Sequence, residues 1–160
     1  MTGTIDERLS ALNIVLPDAP PAIVTGYTPM FAAYVRTGNL VYISGRLAKK
    51  DGQVWSGKLG SDLTVRAGQE AARGVAIELL ATLRAAAGDL SRVKQIVRLL
   101  VLVNGTTDFQ EPHVIANGAS EVFVQLFDER GMHARTAMCV AQLPFGACVE
   151  IEMLAEIEEA

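Results

Sequence analysis

Between residues 62 and 87 apolar side chains return every three or four positions. Ala72, Val75, Ala76, Leu79, Leu80 and Leu83 share one side of a helical wheel, and Glu70, Arg73 and Arg84 fall elsewhere. That period predicts a long amphipathic helix packed on a core. Ser61 or Asp62 offers its N-cap, and Gly88 is placed to end it. The same period returns from about His113 to Asp128, where Ile115, Ala119, Val122, Phe123 and Leu126 point inward and Gly131 follows. A shorter helix is predicted over residues 4–13, with Thr4 as N-cap and Leu9, Leu12 and Ile14 on its apolar side. Leu16-Pro17-Asp18-Ala19-Pro20-Pro21 then breaks regular structure.

Elsewhere the pattern has the short period of strands. Tyr34-Val35-Arg36 and Leu40-Val41-Tyr42-Ile43-Ser44 flank Gly38-Asn39, which predicts a hairpin whose turn takes its positive φ from that pair. Gly45 is expected to close the second strand, and Asp51-Gly52 is a further turn signal. Val93 to Val103 is rich in β-branched residues; Lys94 and Arg98 face away from Val93, Gln95 and Val97 in its early part. Leu99 to Val103 is apolar on both faces, so a helix should cover one side and something else, such as another subunit, the other. Two last strands, Ala137 to Leu143 and Ala147 to Ile157, are joined by Pro144-Phe145-Gly146 as an expected hairpin. The order is ββαβαββ, an α+β layer with two helices on one face of a mixed sheet. Without repeat, low-complexity tract or linker, residues 1–160 read as a single domain, with residues 1–20 as an N-terminal extension carrying the short helix.

Composition narrows the classes. Of 160 residues, 50% are hydrophobic and 20% charged, which is a globular balance with room for a core. The polar, acidic start Met1-Thr2-Gly3-Thr4-Ile5-Asp6-Glu7-Arg8 is unlike a signal peptide, and no apolar run is long enough to span a bilayer. A cytoplasmic location without a membrane partner is the expectation. With 18 acidic against 14 basic residues, and Lys49-Lys50 the only adjacent basic pair, the sequence offers no phosphate footprint, and no nucleic-acid partner is expected. Cys139 and Cys148 flank the last expected hairpin and read as two small buried hydrophobes in a reducing compartment. The two histidines, His113 and His133, have no zinc-site spacing, so no metal is expected.

Dinucleotide-binding, phosphate-loop and nucleophile-elbow motifs are absent, so no cofactor is indicated. Asn104-Gly105-Thr106 matches a glycosylation sequon but reads more simply as a turn. Two residues stand out. Arg135 begins a strand in Met132-His133-Ala134-Arg135-Thr136, and its planar fork of donors matches a carboxylate. Glu150 lies mid-strand; Val149, Ile151 and Met153 take one face, which leaves Glu150 and Glu152 on the other. On residue types alone, this is an ordinary solvated acidic face loosely paired with Arg135.

The segment His133-Ala134-Arg135-Thr136, then Val140-Ala141-Gln142-Leu143-Pro144, then Val149-Glu150-Ile151-Glu152 closely resembles the C-terminal signature of the Rid/YjgF family. That signature reads approximately P-A-R-S, then L-P, then a V/I-E-I-E strand. Upstream, Thr37-Gly38-Asn39-Leu40 with Ile43-Ser44-Gly45 resembles the family's G-N-x(4)-S-G strand. Gly68-Gln69-Glu70-Ala71-Ala72 fits its first long helix, and Asp108-Phe109 with Asn117 fits the start of its second. The register covers residues 27–157. The resemblance implies a chorismate-mutase-like fold, a homotrimeric barrel with sites between subunits, and hydrolysis of 2-imino or 2-enamino acids to 2-keto acids and ammonium. It implies that Arg135 clamps a small carboxylate substrate and that Glu150 positions or activates water. Phe31, Ser44, Gly45, Asn117 and Ala137 would complete the pocket.

Several positions depart from the family pattern. Phe31 stands where a tyrosine is usual, so a hydroxyl there would have to come from Tyr27 or Tyr34. Ala137 replaces a frequent cysteine, and His133 replaces the proline of P-A-R-S. His133 reads as an exposed loop residue, the alternative being a titrating site group. The N-terminal extension and the Gln110–Ala116 region look longer than in the archetype. These differences imply a divergent branch. The alternative function is a non-catalytic module that binds a small carboxylate or a protein, and the lack of basic and aromatic interleaving argues against an L-PSP-type ribonuclease.

Overall fold

Leu79, Leu80 and Leu83 are fully buried because the helix that carries them lies against a sheet. The computed structural model describes residues 3–18 and 29–159. In chain order its elements are α1 (Ile5–Ala11), β1 (Tyr34–Thr37), β2 (Leu40–Leu47), β3 (Lys49–Lys50), β4 (Gln53–Val54), α2 (Val65–Ala87), β5 (Val93–Asn104), α3 (Pro112–Phe127), β6 (Ala134–Val140) and β7 (Val149–Ile157). The expected order ββαβαββ is there, with α1 in front of it and a small β3–β4 ribbon between β2 and α2. Asp51 and Gly52, both at positive φ, turn that ribbon.

The helices form where the period placed them, with small differences at their ends. Thr4 and Glu7 close a capping box on α1, Thr4 N–H donating to Glu7 Oε2 at 2.8 Å. α2 begins later than expected. Its cap is Thr64, whose hydroxyl accepts from Ala67 N–H at 3.2 Å, because the Asp62 carboxylate already accepts from Lys58 N–H at 3.0 Å in the preceding turn. α3 starts at Pro112 and buries all five expected residues. The two long helices approach closely at Gly118, where a methyl group would run into the Gln69 carbonyl.

Five strands make one mixed sheet in the order β1-β2-β7-β5-β6. β5 and β6 are parallel with α3 as their crossover, and the other pairs are antiparallel. This corrects the expected hairpin of the last two strands. The twelve-residue β5 inserts between them, so Cys139 pairs with Val103, and Val103 pairs in turn with Val149. Both cysteines are free thiols; Cys148 is buried and its thiol is pushed up to about 11 by that burial. Gly45 does not close β2 either. Ser44 and Gly45 form a bulge between Ile43 and Arg46, after which pairing with β7 resumes at Arg46 and Leu47. Register shifts in β5 likewise break the expected early alternation, so that Ile96 is the buried residue and Gln95 and Val97 are only half-buried.

α2 and α3 lie on one side of the sheet, over Val41, Ile43, Leu99, Val101, Val103, Val149, Ile151 and Met153, and α1 packs against α3. Each fully buried aliphatic side chain of this layer contributes roughly 1.5–3 kcal/mol. On the other side Leu100 and Leu102 are half-exposed, and Tyr42 and Met138 are 48% and 43% exposed. Among the described residues no helix covers that face.

Candidate functional site

Arg135 is the second residue of β6 and pairs with Leu99, so its side chain leaves on the helix side of the sheet. There it meets one face of α3, where His113, Asn117 and Ser120 recur at spacings of four and three. Nη1 donates to Asn117 Oδ1 and to Ser120 Oγ, both at 2.9 Å, and Nη2 donates to the His113 carbonyl at 3.2 Å. A guanidinium has five N–H groups. Among the described residues these three bonds leave Nε–H and one Nη2 hydrogen unspent, on one edge whose spacing matches a carboxylate. Asn117, expected to touch substrate, spends its carbonyl oxygen on holding Arg135. Ala137 sits two residues further along the same strand face, packed against the core.

Glu150 is the second residue of β7, nearer the strand's start than its middle, paired with Leu47 on one side and Leu102 on the other. It points to the open face, with its carboxylate against Gly45; a methyl group on Gly45 would collide with Glu150 Oε1. Burial, and secondarily the neighbouring Glu152, push its carboxyl above the ordinary range. Among the described residues no hydrogen-bond donor reaches it. Ser44, in the bulge beside Gly45, donates its hydroxyl to the Ala32 carbonyl at 2.7 Å and its N–H to the Ala33 carbonyl at 3.1 Å. Those bonds fix the segment that carries Phe31, which is 52% exposed. A hollow of about 260 Å³ opens next to Ser44, with Tyr42, Arg98, Leu100 and Glu152 in its wall. Tyr34 pairs with Ile43 and packs towards the helices, away from this face, and Tyr27 lies outside the described residues.

The site residues expected from sequence thus fall into two groups. Phe31, Ser44, Gly45 and Glu150 belong to the β2–β7 region, and Arg135, Asn117 and Ala137 to the β6–α3 edge. Arg135 pairs with Leu99 and Glu150 with Leu102, three residues apart on a regular stretch of β5, so the two side chains leave opposite faces. One chain does not bring them together.

His133 departs from the expectation of an exposed loop residue. Its ring is half-buried, edge-on to Phe123 at 6.0 Å between centroids, with Nδ1 2.6 Å from the Gly131 carbonyl and Nε2 3.0 Å from Ser120 Oγ. Burial, and secondarily the charge of Arg135, lower its pKa. Neither Ser120 nor the His113 carbonyl was singled out from sequence; the available signal was their spacing from Asn117 on one helical face. Among the described residues no group of His, Cys, Asp and Glu could hold a metal ion, and no helix is long and apolar enough to cross a membrane.

The family described as "YjgF/chorismate mutase-like, putative endoribonuclease" matches residues 6–157. The chain belongs to this family. Its five-stranded mixed sheet with helices on one face is the chorismate-mutase-like α+β fold of that family. Protein TCP17 of Trypanosoma cruzi is 44% identical over 158 residues, covering 98% of this chain and 96% of TCP17. Atu1372 of Agrobacterium tumefaciens, a protein of unknown function, superposes with a TM-score of 0.83 at 37% identity, over 96% of this chain and 92% of its own. RidA of the Antarctic bacterium Psychrobacter sp. superposes at 0.59 and 29% identity, over 89% of this chain and 98% of its own. The chain shares with TCP17 and Atu1372 a branch of the family distinct from RidA.

Proposed function

We propose that this protein hydrolyses reactive 2-imino and 2-enamino acids to 2-keto acids and ammonium, in sites built between the subunits of a homotrimer. The observation that carries this reading is the Arg135 guanidinium. Three of its N–H groups are tied to α3 and one edge is left for a carboxylate, in a chain of the family that includes RidA. A substrate carboxylate on Nε and Nη2 would hold the imine carbon in place, reducing the entropic part of the barrier. Glu150 takes a proton from water as the oxygen attacks C2 and passes it to the imine nitrogen, giving the carbinolamine; it then takes the hydroxyl proton as the carbonyl forms and passes it to nitrogen as the C–N bond breaks and ammonia leaves. An elevated carboxyl pKa suits that exchange near neutral pH. An enamine first gains a proton at C3 and loses one from nitrogen, which makes it the imine.

Because Arg135 and Glu150 leave opposite faces of one sheet, each site would combine Arg135 of one chain with Glu150 of the next. The half-exposed Leu100, Leu102, Tyr42 and Met138 supply an apolar face for that packing. The acidic balance of the chain favours small carboxylates over RNA as substrate, although the family description includes endoribonuclease.

The test is coupled turnover. A pyridoxal-phosphate dehydratase or an amino-acid oxidase generates imines from a panel of amino acids, and keto-acid release is followed with wild type and with Arg135→Ala. Wild type should accelerate release and Arg135→Ala should not. No acceleration on any substrate would overturn the hydrolase and leave carboxylate binding, the reading favoured by Phe31 without a tyrosine hydroxyl.

A further inference from the structure

The hydrogen bonds around His133 assign every proton in a chain that ends on Arg135. A carbonyl oxygen only accepts, so the 2.6 Å contact of Nδ1 with Gly131 places the ring hydrogen on Nδ1. In the neutral ring Nε2 is then an acceptor, and the single hydroxyl proton of Ser120 goes to it across 3.0 Å. The lone pairs of that hydroxyl are left for Arg135 Nη1 at 2.9 Å. Phe123 of α3 holds the imidazole edge-on from the other side.

We infer that His133, acting through Ser120, is a positioning residue for Arg135. It fixes the serine hydroxyl as an acceptor and so holds the guanidinium with its Nε/Nη2 edge turned outward for a carboxylate. Without it, the hydroxyl of a mid-helix serine turns to the carbonyl one turn back, and its lone pairs are no longer aimed at Nη1. Asn117 and the His113 carbonyl alone leave one Nη1 hydrogen unheld. This inference rests on the reading of Arg135 as the carboxylate anchor.

Two measurements on the full chain keep the inference and that reading separable. In the first, pyruvate binding is measured by calorimetry for wild type, Ser120→Ala, His133→Leu, His133→Gln and the Ser120→Ala/His133→Leu double variant. Each of the first two substitutions should weaken binding roughly 3–10-fold, the worth of one hydrogen bond. The double variant should be no weaker than either, since the pair acts as one unit. His133→Gln, whose carboxamide oxygen can accept the Ser120 proton in place of Nε2, should bind as wild type does. In turnover the losses should appear in KM with kcat unchanged. Additive losses, or a glutamine variant as weak as the leucine variant, would overturn the relay.

The second measurement reads the imidazole itself by nitrogen-15 NMR and needs no ligand. The ring should carry its hydrogen on Nδ1, and Arg135→Gln should raise its pKa by removing the neighbouring charge. An Nε2–H tautomer, or a ring indifferent to Arg135→Gln, would overturn the relay even if pyruvate binds. Wild type that neither binds pyruvate nor turns over imines, with the expected NMR response intact, overturns the carboxylate reading instead.

Discussion

The surroundings of Arg135 and of Glu150 were built by the same sheet in opposite ways. Around Arg135 the chain supplies everything: α3 crosses from β5 to β6 and presents three oxygen acceptors to one guanidinium. Around Glu150 it supplies a bulge and little else. The strand β2 yields to the carboxylate at Gly45, and the carboxyl is driven above its ordinary range with no donor from the described residues to settle it. A cation with its acceptors in place is held ready for an anion, as the proposed carboxylate anchor requires. A half-buried carboxylate without donors is not held in that way, and it lies on the face of the sheet that no described helix covers. On the function proposed above, the contrast says what each half would bring to a shared site: Arg135 comes with its supports from its own chain, and Glu150 comes without a donor among the described residues.

The largest expected effect breaks both halves at once and then mends them. Arg135→Ala and Glu150→Gln should each lower imine hydrolysis by roughly 10²–10⁴-fold, the range of a lost acid–base or positioning group. Mixed as unfolded chains and refolded together, the two dead variants should regain activity. If each site takes arginine from one chain and glutamate from the next, about one quarter of the sites in an equal mixture carry both. Activity regained in the co-refolded sample, and absent from the same variants refolded separately, is the measurement. A mixture as inactive as its components would place both groups on a single chain and contradict the register of β5.

Two glycines separate the halves with smaller effects. Gly118 lies between Asn117 and Ser120, and a methyl group there meets the Gln69 backbone. Backbone does not rotate away, so Gly118→Ala should cost about 1–3 kcal/mol in denaturant unfolding and loosen the Arg135 cluster with it. At Gly45 the obstacle is the end of the flexible Glu150 side chain. Gly45→Ala should therefore leave unfolding nearly unchanged while lowering kcat roughly 10–100-fold through a displaced carboxylate. Equal damage to stability at both positions would show that the bulge is as tightly packed as the helix pair.

The same division explains what could be read from sequence. α2 and α3 were legible because a helix writes its burial locally, as in Leu79, Leu80, Leu83 and Phe123. The hairpin expected around Pro144-Phe145-Gly146 was not, because the pairing of β6 with β5 is settled by contacts some 35 residues away in the chain. The faces of Arg135 and Glu150 depend on that pairing, so their separation could not be seen in the motifs that singled them out. Neither could the role of His133, since its bonds to Gly131 and Ser120 exist only once α3 lies over β6. The family resemblance reached the residues proposed to carry the chemistry, and the fold was needed to show which of them share a side.

The smallest effect concerns stability alone and sharpens the contrast further. The folded pKa of Glu150 is raised, so the folded chain binds protons more readily there than the unfolded chain does. Stability contributed by that proton is present at low pH and is lost as pH rises through the folded pKa. Wild type should then carry more of that penalty at pH 7–8 than at pH 4.5, and Glu150→Gln, which cannot ionise, should melt higher at pH 7–8 by less than about 4 °C, the order of shift expected for a chain of this size. The gap should shrink as pH falls towards the ordinary glutamate range, because the wild-type carboxyl becomes protonated and resembles the amide. Thermal melts of both proteins from pH 4.5 to 8 would show it. A gap of the opposite sign at neutral pH would mean that a cation of the neighbouring chain already compensates Glu150, which would make this half of the site as finished as the other once assembled.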